Sequence, residues 1–144
     1  MRICMIGTGY VGLVSGVCFS DLGNDVICVD NNKKKIKDLE NGIIPIYEPG
    51  LDELVNKNFK SGRLSFTSDL KYAVKNSNVI FVCVGTPTNK KNNSANLNQV
   101  YKVVNNISKY INKFKIIITK STVPVTTGDV IAKMISKKKN KKLF

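Results

Sequence analysis

The chain has 144 residues, enough for one domain that buries about 68–70% of the surface its unfolded form exposes, so no disulfide or metal staple is required. Apolar residues make up 42% and charged residues 23%, an ordinary globular composition, whereas the net charge of +13 is strongly basic. The absence of histidine excludes Cys2His2 zinc sites and His-based triads, and the lack of any run of 18 apolar residues argues against a membrane-spanning helix.

Arg2 to Ile6 is a short apolar run that predicts a strand, and it leads into GTGYVG, placing Gly7, Gly9 and Gly12 at a strand-to-helix turn. In a dinucleotide-binding unit the first glycine allows the tight turn, the second lets the pyrophosphate approach the backbone, and the third lets helix and strand pack closely. The phosphates then rest on the helix N-terminus, where unpaired N–H groups and the helix dipole favour an anion. From Tyr10, the positions Val11, Val14, Cys18 and Leu22 recur at three and four, predicting a helix that Gly23 and Asn24 end.

Val26 to Val29 reads as a strand buried on both faces, with Asp30 at its end. Asp30 lies 18 residues past Gly12, near the roughly 20-residue offset at which an acid accepts hydrogen bonds from the adenosine ribose. Its charge repels a 2′-phosphate and favours NAD over NADP, while Lys33, Lys34 and Lys35 keep a cation available for that phosphate. Asn31 is the expected cap of a helix through about Glu40, closed by Asn41 and Gly42. After IPIYEPGL, Pro49 is expected in the first turn of a helix ending near Lys60.

Leu64 to Phe66 predicts a short strand, and Ser68 or Asp69 caps a helix through about Lys75. Val79 to Val84 is the next strand, followed by Gly85, Thr86, Pro87, Thr88 and KKNNSAN, a loop expected to be flexible. Leu97, Val100, Val104, Ile107 and Ile111 give the clearest helical period in the chain. Lys115 to Thr119 reads as a fifth strand and Thr127 to Ser136 as a last helix; residues 1–136 form one expected domain, and 137–144 a basic tail or the start of a truncated strand.

Strands alternating with helices imply right-handed parallel crossovers, hence an α/β Rossmann-like doubly wound sheet, order 3-2-1-4-5, with ligand at the carboxyl ends of the strands. The loops Gly85–Thr88 and Lys120–Pro124 then face that crevice, where hydroxyls and amides serve the nicotinamide half or an ordered water, or only punctuate the turns. The lysines are scattered and lack interleaved aromatics, so no specific nucleic-acid or membrane partner is expected. Cys4, Cys18, Cys28 and Cys83 have no CxxC spacing and read as small buried hydrophobes, and with no secretory signal the chain reads as cytoplasmic.

GTGYVGL, Asp30 with Lys35, IPIYEPGL, VGTPT and KSTVPV, in this order and spacing, resemble the N-terminal NAD-binding domain of the UDP-glucose/GDP-mannose dehydrogenase family. STVPV is more similar to the UDP-glucose 6-dehydrogenase branch than to the GDP-mannose one. The resemblance implies oxidation of UDP-glucose to UDP-glucuronate with two NAD+, through aldehyde and cysteine thioester stages, in an enzyme that is a homo-oligomer at full length. It implies that Gly7, Thr8, Gly9, Tyr10, Val11 and Gly12 hold the pyrophosphate and that Asp30 and Lys35 bind the adenosine ribose. It also implies that Gly85, Thr86 and Pro87 border the nicotinamide, with Ser121 and Thr122 at the cofactor and Thr122 positioning a catalytic water.

The family's nucleophile lies in a later motif resembling GGSCFPKD, which this chain lacks, together with a segment like NPEFL. The chain therefore reads as truncated before the second half of the enzyme, able to bind NAD without turnover. Thr126 stands where relatives carry glycine, which puts the geometry of that turn in question. Two other readings stay open. One is a dehydrogenase of another nucleotide sugar, GDP-mannose or UDP-N-acetylmannosamine, or of another small alcohol or acid; the other is a non-catalytic nucleotide-binding module.

Overall fold

Uninterrupted apolar strands need cover on both faces, and a parallel sheet with helices on each side supplies it. A computed structural model of the chain describes residues 1–90 and 93–138. In it β1 (Arg2–Ile6) is central, pairing in parallel with β2 (Asp25–Val29) on one side and β4 (Val79–Val82) on the other. β3 (Leu64–Thr67) extends the sheet from β2 and β5 (Ile116–Thr119) from β4, giving the predicted order β3-β2-β1-β4-β5.

The helices α1 (Tyr10–Asp21), α2 (Lys33–Glu40) and α3 (Leu51–Lys60) cover one face; α4 (Leu70–Asn76), α5 (Asn98–Tyr110) and α6 (Thr127–Lys138) cover the other. Alternation along β1 feeds both cores. Ile3 and Met5 pack with Leu13, Val17, Leu39 and Val55, whereas Cys4 and Ile6 pack with Val82, Val100, Val104 and Ile107. Each such side chain contributes about 1.5–3 kcal/mol on full burial. Among the described residues no helix is long and apolar enough to cross a membrane.

Several boundaries differ from the sequence expectation, each for a local reason. The cap of α2 is Asn32 and not Asn31, because the Asn32 side chain accepts from the Lys35 N–H at 3.1 Å. Pro49 precedes α3 instead of opening it: Gly50, at φ 77°, is the N-cap, a left-handed position open to glycine. Asp69 caps α4 through the Tyr72 N–H, and β4 stops at Val82. The 87–96 loop is closed by an antiparallel bridge between Thr88 and Ala95. Lys137 and Lys138 continue α6, and the rest of the expected tail, 139–144, lies outside the described residues. Among those described, only Asn93 is a non-glycine residue at positive φ, so Thr126 sits in its turn without left-handed strain.

Candidate functional site

The glycine turn lies where β1 hands over to α1. Gly7 is at φ 103°, and its N–H donates to the Val29 carbonyl at 2.8 Å, tying the turn to β2. A Cβ on Gly7 would stand 2.7 Å from the Cys83 carbonyl oxygen, and one on Gly12 would run into the Gly7 carbonyl. Gly9 differs: a Cβ there would meet nothing within 4 Å. Two glycines are required by the protein's own packing, and the third leaves a bare backbone facing open space. Gly16, one helical turn past Gly12, lets α1 settle on Cys28 and Met5, a close approach that sequence reading missed although the four-residue glycine spacing signals it.

Asp30 closes β2 beside this turn. Its Oδ2 accepts from the Thr8 N–H at 3.1 Å, the Thr8 hydroxyl at 2.7 Å and Lys35 Nζ at 3.2 Å, while Oδ1 accepts from the Asn32 N–H at 3.0 Å. Burial pushes the Asp30 carboxyl up, but the Asn32 N–H, the two Thr8 donors and the Lys35 ammonium together outweigh it and hold the group below the usual carboxylate range. The carboxylate is thus charged at neutral pH and keeps acceptor capacity on Oδ1.

Gly7, Gly9, Asp30, Lys35 and Gly85 line one crevice of about 620 Å³ at the carboxyl ends of the strands. Ile6, Val29, Leu70, Val84 and Val103 give it apolar walls suited to a flat base, with Ser68, Gln99, Lys102 and Asn106 as polar groups. The α5 contribution was not anticipated. Positions 99, 102, 103 and 106 form a stripe beside the buried Val100, Val104 and Ile107, and the strong apolar period drew attention to the core face alone.

Other expected site residues stand elsewhere. Tyr10 and Val11 open α1 and are half-exposed outside the crevice lining. Thr86 and Pro87 lie beyond Gly85, and the Pro87 carbonyl accepts from the Asn96 N–H. The Ser121 hydroxyl donates to the Val84 carbonyl at 2.7 Å and lies 3.3 Å from that of Val82, fastening the turn after β5 to the end of β4, with Thr122 exposed beside it. The expectation of four buried cysteines fails at Cys18, which is exposed on α1, and at the half-buried Cys83 in the crevice. Burial pushes the Cys83 thiol up to about 11 against the pull of Lys120, so it stays protonated at neutral pH and is a poor nucleophile.

A turn of this build, a strand-end acid and a crevice at the switch point of a doubly wound sheet are the parts of a dinucleotide site. The NAD-binding-domain model of the UDP-glucose/GDP-mannose dehydrogenase family matches residues 1–144. The chain belongs to this family. Over 135 residues it is 54% identical to UDP-glucose 6-dehydrogenase of Rhizobium meliloti, covering 94% of this chain and 31% of that protein. Among solved structures, GDP-mannose dehydrogenase from Pseudomonas aeruginosa superposes with a TM-score of 0.90 at 39% identity, covering 99% of this chain and 33% of the other. UDP-glucose dehydrogenase from Pyrobaculum islandicum gives 0.88 at 33% identity, covering 95% and 32%. The chain therefore spans about a third of the length of these relatives. NAD is the cofactor of this family's domain, and the open Gly9 backbone and the acceptor left on Asp30 fit it.

Proposed function

We propose that this chain is the NAD-holding part of a cytoplasmic, homo-oligomeric UDP-glucose 6-dehydrogenase that oxidises UDP-glucose to UDP-glucuronate, with no membrane or specific nucleic-acid partner. The carrying observation is the pairing of the open Gly9 backbone with the Asp30 carboxylate in one crevice, in a chain 54% identical to a UDP-glucose 6-dehydrogenase. Bound NAD+ supplies the hydride acceptor. The chain's own residues bind and orient: the glycine turn and the α1 N-terminus take the pyrophosphate, Asp30 and Lys35 the adenosine ribose, and the Gly85–Pro87 segment the nicotinamide side. Ser121 holds its turn against β4, and Thr122, exposed on the same turn, is the residue that orients a water for the second oxidation.

Isothermal titration tests the cofactor assignment. The chain is expected to bind NAD more tightly than NADP, and Asp30→Ala to lose that preference; unchanged binding in the variant would remove Asp30 from the site. Purified alone, the chain should produce no NADH from UDP-glucose, since it spans only about a third of the length of the dehydrogenases it resembles. NADH formation from UDP-glucose, GDP-mannose or UDP-N-acetylmannosamine would contradict this reading and identify the sugar.

A further inference from the structure

The glycine turn and the ribose acid are joined through one side chain. Thr8 is fully buried between Gly7 and Gly9 and directs both its donors to a single atom, Asp30 Oδ2. Lys35 Nζ brings a third donor to that oxygen, which fills its acceptor capacity, whereas Oδ1 carries only the Asn32 N–H. The terminal torsion of an aspartate is broad and weakly restrained, so the direction in which Oδ1 points is set by the three hydrogen bonds on Oδ2 together with the single Asn32 N–H on Oδ1.

We propose that Thr8 is a positioning residue for the cofactor: its hydroxyl locks the Asp30 carboxylate so that Oδ1 alone is presented to the adenosine ribose. The Thr8 amide is committed to the same carboxylate and is not a pyrophosphate donor. One ribose hydroxyl then donates to Oδ1. The other is left to Lys35, whose ammonium has three protons and places one on Oδ2. The inference rests on NAD as the ligand of this crevice, and it gives the residue between the first two glycines a role distinct from phosphate contact.

Valine matches threonine in shape and lacks the hydroxyl. In Thr8→Val the carboxylate keeps the Thr8-position amide, the Asn32 N–H and Lys35 but loses its shortest bond, so Oδ1 is held less firmly in its direction. The charged group bearing on Asp30 is Lys35 from α2; Lys102 from α5 lines the same crevice, and Cys83, after β4, stays neutral. None of these changes in the variant. Loss of the hydroxyl bond therefore raises the Asp30 pKa toward its ordinary value, and affinity that depends on the carboxylate is lost at a higher pH on acidification.

The test is calorimetric titration of the whole chain with NAD and, separately, with AMP, from neutral pH down through the usual carboxylate range, for the parent, Thr8→Val and Thr8→Ser. Thr8→Val is expected to weaken both ligands by the same factor, about tenfold, the scale of one hydrogen bond to a charged group. Its affinity should fall off at a higher pH than the parent's, and Thr8→Ser should restore both properties. Equal affinity and an unshifted pH profile in Thr8→Val would overturn the proposal. So would a loss seen with NAD and not with AMP, which would assign Thr8 to the pyrophosphate. If Thr8→Val does not fold, Thr8→Cys replaces it: an intermediate loss supports the proposal, and parental affinity overturns it. Failure of the parent chain to bind NAD at all would instead reject the cofactor reading.

Discussion

A single methyl group distinguishes the jobs of three glycines in one turn. At Gly12 it would collide with the Gly7 carbonyl, with the Cys83 side chain at 3.1 Å behind it, so Gly12→Ala must push α1 off the sheet. At Gly9, with φ −73° and ψ −172°, it meets neither strain nor atoms. Gly9→Ala is therefore expected to melt within about 0.5 kcal/mol of the parent yet lose NAD affinity, because the methyl occupies the space the pyrophosphate needs. Gly12→Ala should be destabilised by about 1–3 kcal/mol or more, the range for overpacking. Thermal denaturation with and without NAD separates the two, and a destabilised Gly9→Ala would show that its open space is filled by the protein.

Helix starts fix where the cofactor groups stand, and α2 shows this best. Asn32 accepts from the Lys35 backbone N–H, while its own N–H donates to Asp30 Oδ1, so one residue both begins the helix and steadies the acid. Asn32→Ala is expected to lower stability by about 1 kcal/mol, typical of a lost N-cap. Only the side-chain bond is lost, so NAD affinity should fall modestly, through freer placement of Lys35. Denaturant unfolding and titration measure the two effects, and an unchanged midpoint would reject the cap. This element also shows what the sequence could and could not convey. The apolar strands and the α5 period were plain because burial imposes them along the chain. Asn31 and Asn32 are chemically identical as caps, and only the course of the backbone leaving β2 selects between them. The crevice face of α5 was hidden for a related reason: Gln99, Lys102 and Asn106 resemble solvated residues until the fold turns them into the crevice that Ile6 and Val29 also line.

On the scale of the molecule, 23 basic against 10 acidic residues create a positive field around a crevice that carries Lys35 and Lys102 on its walls. A doubly charged pyrophosphate gains from that field, and salt screens it over about 10 Å at 0.1 M. NAD affinity is expected to fall about two- to fivefold between 0.05 and 0.5 M salt; titration at the two concentrations measures it, and a salt-independent affinity would show that only contact residues matter. The order of the sheet was legible because alternating strands and helices allow few topologies. Placement of Thr86, Ser121 and Thr122 was less so, since a hydroxyl at a strand end serves ligand and backbone equally well. The central place of β1 has a consequence for synthesis. β1 leaves the ribosome ahead of both its neighbours and finds one partner at Asp25 to Val29, but its other edge waits until Val79 to Val82 has been made. A nascent chain that stops before Val79 would leave Cys4, Ile6 and Ile27 on a face with no α5 to cover it, the kind of apolar surface that chaperones hold.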